Sequence, residues 1–278
     1  MANINNKREW FVQLIDTRKK KPVNDDSGQF QVYTAGSAAR ATIYNASGVA
    51  LTQHLGAGGT GFVSRTMTDG QLSFYTNISV STVDISVLTV SGRAYFLKAL
   101  KPSNHRVDVD PEQSHFNLVV PLDDGASSTA LRSTGFSLRK GMIIEDAFIR
   151  VTAAGAMSTA AAKTMNAGVA GDSDAFLVAI PFSTTGYKRP VLAAATGLVL
   201  ATVQYGTQLA QFNTGTDAAT AAGWICRRKY FVPTATVLSF ARAAAATLTV
   251  GTTADNRAKM YLFLTYQLDP TVVAVTTD

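Results

Sequence analysis

The chain is poor in cysteine and in charge. Cys226 is its only cysteine, so no intrachain disulfide can form, and stability must come from packing or from association with other chains. Charged residues make up 16% of the 278 residues, less than a free monomer usually carries, which predicts that neighbouring subunits cover part of the surface. No apolar stretch approaches the roughly 20 residues of a membrane-spanning helix, so we expect a soluble protein that binds no membrane.

Residues that commonly carry chemistry are few and scattered. His54, His105 and His115 stand at no metal-ligand spacing to one another or to Cys226, and the sequence has no nucleophile elbow. Gly56–Gly61 matches G-x-G-x-x-G, but a dinucleotide site needs a following helix, and a strand is predicted there instead. The two tryptophans are fewer than the clefts of sugar-cleaving β proteins usually contain. We therefore expect no enzymatic activity and no cofactor.

Two groups of acidic residues have the alternating spacing that places side chains on one face of a strand. Asp108, Asp110 and Glu112 form one group, and Asp172 and Asp174 form the other. Carboxylates arranged in this way can supply oxygen ligands to calcium. Turn formation and solvation explain them equally well, so the prediction is that no metal is bound.

The sequence is rich in the period-two pattern of β-strands. In Glu9–Ile15, for example, Trp10, Val12 and Leu14 share one face. No apolar stripe of period 3.6 is sustained, even in the alanine-rich stretches, so no helix longer than a turn is predicted. Short strands at this spacing are typical of sandwiches. We predict an all-β fold of two β-sandwich domains, a small immunoglobulin-like module followed by a larger jelly-roll-like sandwich.

The predicted strands fall into two sets. Those of the first half are Glu9–Ile15, a strand beginning at Phe30 and Val32, Ala41–Tyr44, Gln71–Tyr75, Val83–Val87 and Arg93–Leu100. Those of the second half are Phe116–Val120, Gly141–Val151, Ala175–Phe182, Leu198–Tyr205, Tyr230–Val232, Val237–Phe240, Thr247–Val250 and Met260–Leu268. Pro121–Gly125 is a predicted turn, Ala175–Phe182 is predicted to be central, and Asp84 and Ser86 are predicted to point away from their apolar neighbours.

The two sets are separated by a polar segment, Lys101–Glu112, which contains Pro102 and Pro111. Residues before proline avoid the helical region, so an extended connector is predicted here. The expected domains are therefore residues 1–106 and 107–278.

Candidate partner-binding residues come from charge and from one strand. Basic residues form short separate clusters rather than one face interleaved with aromatics, so no nucleic acid is expected, and each cluster is either a solvated loop or a contact with an acidic protein surface. Met260–Leu268 is apolar on both faces, so its second face needs a loop or a partner chain as cover. The candidates are Arg18, Lys19, Lys20, Lys21, Arg227, Arg228, Tyr261 and Phe263.

The first half resembles the small β modules of structural proteins from tailed bacteriophages. The residues that carry the resemblance are Trp10–Asp16, Ala41–Gly48, Ala50–Thr52, Asp69–Tyr75 and Val83–Ile85. In the second half, Gly141–Val151 and Gly168–Ile180 are similar to β-sandwich halves of phage head and tail accessory proteins. The coiled-coil and triple-β-helix repeats of a long fibre shaft are absent from the sequence.

The resemblance implies a virion protein that is assembled in the host cytoplasm, and Met1–Arg8 has no apolar core of an export signal. We expect a capsid decoration or cement protein, a homo-oligomer and most simply a trimer. It would bind the major capsid protein or other virion proteins and stabilise the head against packaged DNA. The alternatives are a tail or baseplate component and a receptor- or sugar-binding module with exposed Tyr187, Tyr205 and Trp224.

Overall fold

The structure, a computed structural model, describes most of the chain: residues 6–23, 25–53, 61–110, 113, 115–123, 131–154, 164–188, 230–242 and 259–269. Within these ranges the protein is built from strands in four sheets, and no α-helix occurs. The predicted all-β sandwich class is confirmed. Leu198–Tyr205 and Thr247–Val250, which were predicted as strands, lie outside the described residues.

The first half of the chain forms two sheets. Its strands are β1 (Lys7–Asp16), β2 (Lys21–Pro22), β3 (Gln29–Thr34), β4 (Ile43–Tyr44), β5 (Ala50–Leu51), β6 (Arg65–Thr66), β7 (Gln71–Asn77), β8 (Val83–Leu88), β9 (Ala94–Leu100) and β10 (Asn104–Val109). Sheet 1 has the order β10-β1-β7-β4-β5, with β2 also paired to β1, and sheet 2 has the order β6-β3-β8-β9. The two sheets enclose one hydrophobic core.

Alternation along β1 places its apolar side chains in this core, as predicted. Trp10, Val12 and Leu14 are fully buried. The ring of Trp10 stacks on Phe74 with centroids 5.9 Å apart, and its indole Nε1 donates a hydrogen bond of 2.9 Å to Thr76. Because the polar end of the indole is satisfied, its burial contributes its full apolar area to the stability of the core.

The second half forms the other two sheets. Its strands are β11 (His115–Asp123), β12 (Arg132–Leu138), β13 (Met142–Ala153), β14 (Thr164–Val169), β15 (Asp172–Pro181), β16 (Gly186–Lys188), β17 (Tyr230–Phe231), β18 (Thr236–Arg242) and β19 (Lys259–Leu268). Sheet 3 has the order β11-β19-β13-β16, with β17 also paired to β13, and sheet 4 has the order β12-β18-β14-β15. Met260, Leu262, Leu264 and Tyr266 of β19 point into the core between them.

Some strands differ from the predictions in extent or position. The predicted turn at Pro121 instead continues β11, because residues 121–123 pair with Tyr261, Met260 and Lys259. Strand β4 is shorter than predicted. Strand β15, predicted to be central, is the last strand of sheet 4 in the described part of the chain.

The segment Lys101–Glu112, predicted as a connector, contains the strand β10. It pairs in parallel with β1 over an unbroken register, from Asn104 beside Phe11 to Val109 beside Asp16. Val109 is buried and Val107 packs against the first core, so alternation gives this polar segment an inner side. The boundary expected between residues 106 and 107 therefore falls inside a strand of sheet 1.

The central strands of sheet 2, β3 and β8, are buried on both faces because the outer face of this sheet packs on the second sandwich. All six residues of β8 are buried, including Asp84 and Ser86, which do point away from their apolar neighbours. The Ser86 hydroxyl donates to the carbonyl of Val119 in β11 at 2.6 Å. The buried amide of Gln31 donates to the carbonyl of Thr134 in β12 at 2.8 Å. Hydrogen bonds of this kind make burial of polar side chains favourable.

The joint between the two sandwiches also has an aromatic centre. Phe62, from the first half, is buried and stacks on Phe240 of β18 with centroids 5.9 Å apart. The guanidinium of Arg40 lies 3.1 Å from the Phe62 centroid, and the Phe62 amide donates to the carbonyl of Ser133 at 2.9 Å. Phe62 belongs to the core of the second sandwich. The two halves therefore pack directly against each other at this joint.

Asp84→Asn tests whether the buried polar residues of β8 are structural. The Asp84 carboxylate accepts backbone hydrogen bonds from Gly36 at 2.9 Å and from Ala99 at 2.7 Å, and an asparagine turns one acceptor into a donor. We expect the free energy of unfolding, measured in urea, to fall by about 1–3 kcal/mol. Asp69→Asn, at an exposed turn position, serves as the control and should change it by less than about 0.5 kcal/mol. Equal free energies of unfolding for the two variants would show that the hydrogen bonds of Asp84 do not stabilise the fold.

Alkaline pH is expected to destabilise the fold because three of its tyrosines lose exposure to water on folding. Burial raises the pKa of Tyr33 and Tyr266 well above 10.0 and that of Tyr95 to about 12. The hydroxyl of Tyr33 donates to Gln31 at 2.5 Å, and that of Tyr266 donates to the carbonyl of Gly92. Because the pKa of each hydroxyl is higher in the folded state than in the unfolded chain, the protonated tyrosine stabilises the fold fully below pH 10. This stability is lost as the pH rises toward the pKa of the folded state.

Each such tyrosine should lower the free energy of unfolding by about 1.4 kcal/mol per pH unit above 10. Urea unfolding at several pH values above 9 or so measures this slope. Tyr95→Phe should reduce the slope by the contribution of one proton. An identical slope for the variant and the unaltered protein would mean that Tyr95 ionises as freely in the folded state as in the unfolded chain.

Candidate partner-binding surfaces

The described residues hold no group of three or more histidine, cysteine, aspartate or glutamate side chains that could bind a metal. Asp108 is exposed on β10, and the side chains of Glu112 and Asp174 lie outside the described part. His105 Nε2 contacts the carbonyl of Lys101 at 2.6 Å, and His115 lies 3.4 Å from Glu145. These side chains make local polar contacts rather than a shared site.

A surface groove of about 790 Å³ lies beside the start of β1. Its lining residues are Arg8, Glu9, Ser81, Thr82, Lys101, Pro102, Ser103 and Asn104. The lining combines charges of both signs with hydroxyl and amide groups and includes neither histidine nor cysteine. The hydroxyl of Ser103, one of the lining residues, lies 3.1 Å from His105 Nε2, which also contacts the carbonyl of Lys101.

The predicted basic candidates of the first half form a tight turn at one end of sheet 1. The carboxylate of Asp16 accepts backbone hydrogen bonds from Arg18 at 2.8 Å and from Lys19 at 3.0 Å. These bonds, led by that from Lys19, lower the pKa of Asp16. Lys20 adopts a positive φ of 53°, and Lys21 then pairs back onto β1. Asp16 thus shapes a turn that presents four exposed cationic side chains together.

Arg227 and Arg228, the other predicted basic candidates, lie outside the described residues, as do Tyr205 and Trp224. They carry no part of the surfaces described below.

Tyr261 and Phe263 lie on the outer face of sheet 3. The ring of Phe263 stacks on Phe148 of β13 with centroids 4.6 Å apart and an interplanar angle of 6°. Tyr187 of β16 lies 5.9 Å from Phe148, and the guanidinium of Arg150 lies 5.3 Å from the Tyr187 ring. We call these five side chains the aromatic face. Their alignment follows from register, since Phe148 is opposite Phe263 and Arg150 lies between Tyr261 and Tyr187.

Among the described residues, contacts with the first sandwich cover one side of the aromatic face. On the side of β11, Phe96 of the first sandwich meets Tyr261 edge to face with centroids 6.2 Å apart, and this burial raises the pKa of Tyr261. On the other side, Tyr187 remains 66% exposed and Arg150 is exposed as well. The predicted need of β19 for cover on its second face is therefore met in part by the chain itself.

Sequence reasoning missed Phe148 and Arg150 as members of this face. A signal was present, because both alternate with Ala147, Ile149 and Val151, which point into the core. A residue between core positions of a strand lies on its outer face.

No protein-family model matches the chain, and neither a curated protein nor a solved structure matches it. No described segment forms a helix that is long and apolar enough to span a membrane. The fold and its surfaces define a class: an all-β protein of two tightly joined sandwiches that presents an aromatic face and a basic turn.

Proposed function

We propose that this chain is a structural protein of a bacteriophage particle, a decoration or cement protein that binds the outside of the head. The observation that carries the proposal is the aromatic face of the double sandwich, in which Tyr187 is 66% exposed and Phe148, Tyr261 and Phe263 are partly exposed. Apolar surface of this kind on a soluble fold usually marks a contact with another protein. The resemblance of the strand motifs to phage modules supplies the setting.

The mechanism would be mechanical. A joint with buried hydrogen bonds and a stacked Phe62–Phe240 pair keeps the two sandwiches in one orientation, so a force on one half is transmitted to the other. Burying Tyr187 and its neighbours against a capsid subunit would supply affinity. The basic turn at Arg18–Lys21 would orient the protein toward an acidic capsid surface. Many copies on one lattice would strengthen weak individual contacts.

A sugar- or receptor-binding module is the second candidate because Tyr187 is strongly exposed. The geometry favours a protein partner. Phe148 and Phe263 stack on each other, so each covers a ring face that a sugar would need, and Arg150 lies over Tyr187. A glycan array distinguishes the decoration protein from the sugar-binding module. If the protein retained a specific glycan and Tyr187→Ser abolished that retention, the second candidate would replace the decoration proposal.

Heating particles with and without the protein tests the cement role. Particles that lack it should release DNA at a lower temperature, and adding back the purified protein should restore the original value. The double variant Tyr187→Ser with Arg150→Ser should fail to restore it, because the exposed part of the aromatic face is removed. Ile78→Ser, which alters an exposed apolar residue of the first half, should restore it fully. Release at the same temperature with and without the protein would refute reinforcement.

A further inference from the structure

Strand β10 leaves one edge of sheet 1 open. It is the last strand in the order of that sheet, and in the part of the chain that the structure describes no strand pairs with its outer side. An edge strand directs alternate backbone N–H and C=O groups outward, and these can pair with another strand. Asn104, Arg106 and Asp108 are exposed along it, so the edge is accessible.

The charges on this edge are complementary to themselves. Arg106 and Asp108 lie on either side of Val107 and share the exposed face of β10. When the β10 strands of two copies pair antiparallel with their Val107 residues opposite each other, Arg106 of each copy lies opposite Asp108 of the other. The dimer then contains two such pairs of opposite charge. If the register between the two strands shifts by two residues in one direction, Arg106 of one copy lies opposite Arg106 of the other. If it shifts by two residues in the other direction, Asp108 lies opposite Asp108. Opposite charges stabilise a directly opposed pair and like charges destabilise it, so charge selects one register.

The geometry points to a two-fold association of this chain, in which the β10 strands of two copies pair antiparallel and join both copies of sheet 1 into one continuous sheet. The second copy is the occupant because the charge order of the strand supplies its own complement. Strand edges that avoid pairing usually carry charged side chains, prolines or bulges. Strand β10 has no proline and keeps an unbroken register with β1, and its two charges, Arg106 and Asp108, are of opposite sign and can pair with those of a second copy. The inference goes beyond the proposed function, since it requires no particle.

Charge reversal of the purified full chain tests the pairing. Sedimentation equilibrium should give twice the 29.4 kDa mass for the unaltered protein. Arg106→Asp and Asp108→Arg, each alone, should weaken the dimer about tenfold or more, because each places like charges opposite one another twice. An equimolar mixture of the two variants should associate again, since every opposed pair then has opposite signs. Lys140→Asp, an exposed reversal in the second half, should leave the dimer unchanged.

The rescue by mixing distinguishes pairing from misfolding, because two misfolded variants would not restore each other. Circular dichroism and thermal unfolding of each variant check the fold directly. A monomeric unaltered protein would overturn the inference. A dimer that stays intact in both single variants would also overturn it, and so would the trimer expected from the sequence if both single variants left it intact. A mixture of the two folded variants that stays monomeric would overturn it as well. None of these results depends on whether the protein decorates a capsid.

Discussion

Phe62→Ala is expected to lower the free energy of unfolding by about 3–5 kcal/mol, which is the range for removing a buried phenylalanine. The variant loses the stack on Phe240 and the contact with the Arg40 guanidinium, and it leaves a cavity where the two sandwiches meet. Because the joint opens, limited proteolysis should also release the two halves. Urea unfolding followed by fluorescence measures the first effect, and gel electrophoresis measures the second.

Phe231→Ala is the matched control, since Phe231 is 44% exposed in β17. It should cost well under half of the Phe62→Ala value, because an exposed ring loses little buried area. A Phe62→Ala protein within about 1 kcal/mol of the unaltered chain would show that the joint contributes little to stability.

Gly61→Ala is expected to destabilise the protein by about 3 kcal/mol or more through backbone strain and collision. Gly61 has a φ of 134°, and a Cβ built there would lie 2.2 Å from the carbonyl oxygen and 2.4 Å from the amide nitrogen of Ser133. These are backbone atoms of β12 that carry the bridge between the two halves, so neither partner can move without breaking the joint.

Gly186→Ala separates the two contributions. Gly186 has a comparable φ of 116°, yet nothing lies within 4 Å of a Cβ built there. Its cost should therefore be about 1–2 kcal/mol, which is the strain contribution alone. If thermal unfolding gave both glycine variants the same loss, close packing of Gly61 on Ser133 would be excluded.

The strands were the predictable part of this fold because alternation is a local property. Trp10, Val12 and Leu14 predict an inner face from spacing alone, and Met260 to Tyr266 do the same for β19. Segment Asn104–Val109 was interpreted as a connector because its charges hide a weaker alternation, and its pairing with β1 is a contact between residues far apart in the chain. Local pattern carries no information on such pairings.

The joint could not be predicted for a related reason. Asp84, Ser86 and Gln31 are polar and alternate with apolar residues, which is also the pattern of a solvent-exposed face. Their burial depends on partners in the second sandwich or in distant loops, such as the carbonyls of Val119 and Thr134. Only the tertiary structure decides whether a polar face meets water or a second sheet.

The candidate surface was predicted in part. Tyr261 and Phe263 follow from a strand that is apolar on both faces, and both lie on the aromatic face. Cross-strand register adds Phe148, Arg150 and Tyr187, and register between distant strands is not encoded locally. The basic turn at Arg18–Lys21 was visible as a charge cluster, but its shape depends on the hydrogen bonds of Asp16.

Electron cryo-microscopy of particles that carry this protein is the most direct test of the proposed function. We expect many copies on the outer surface of the head, each with both sandwiches in one fixed orientation and with Tyr187 and Phe148 against a neighbouring subunit. A few copies confined to the tail, two halves that vary in relative orientation, or an aromatic face left open to solvent in every copy would contradict it.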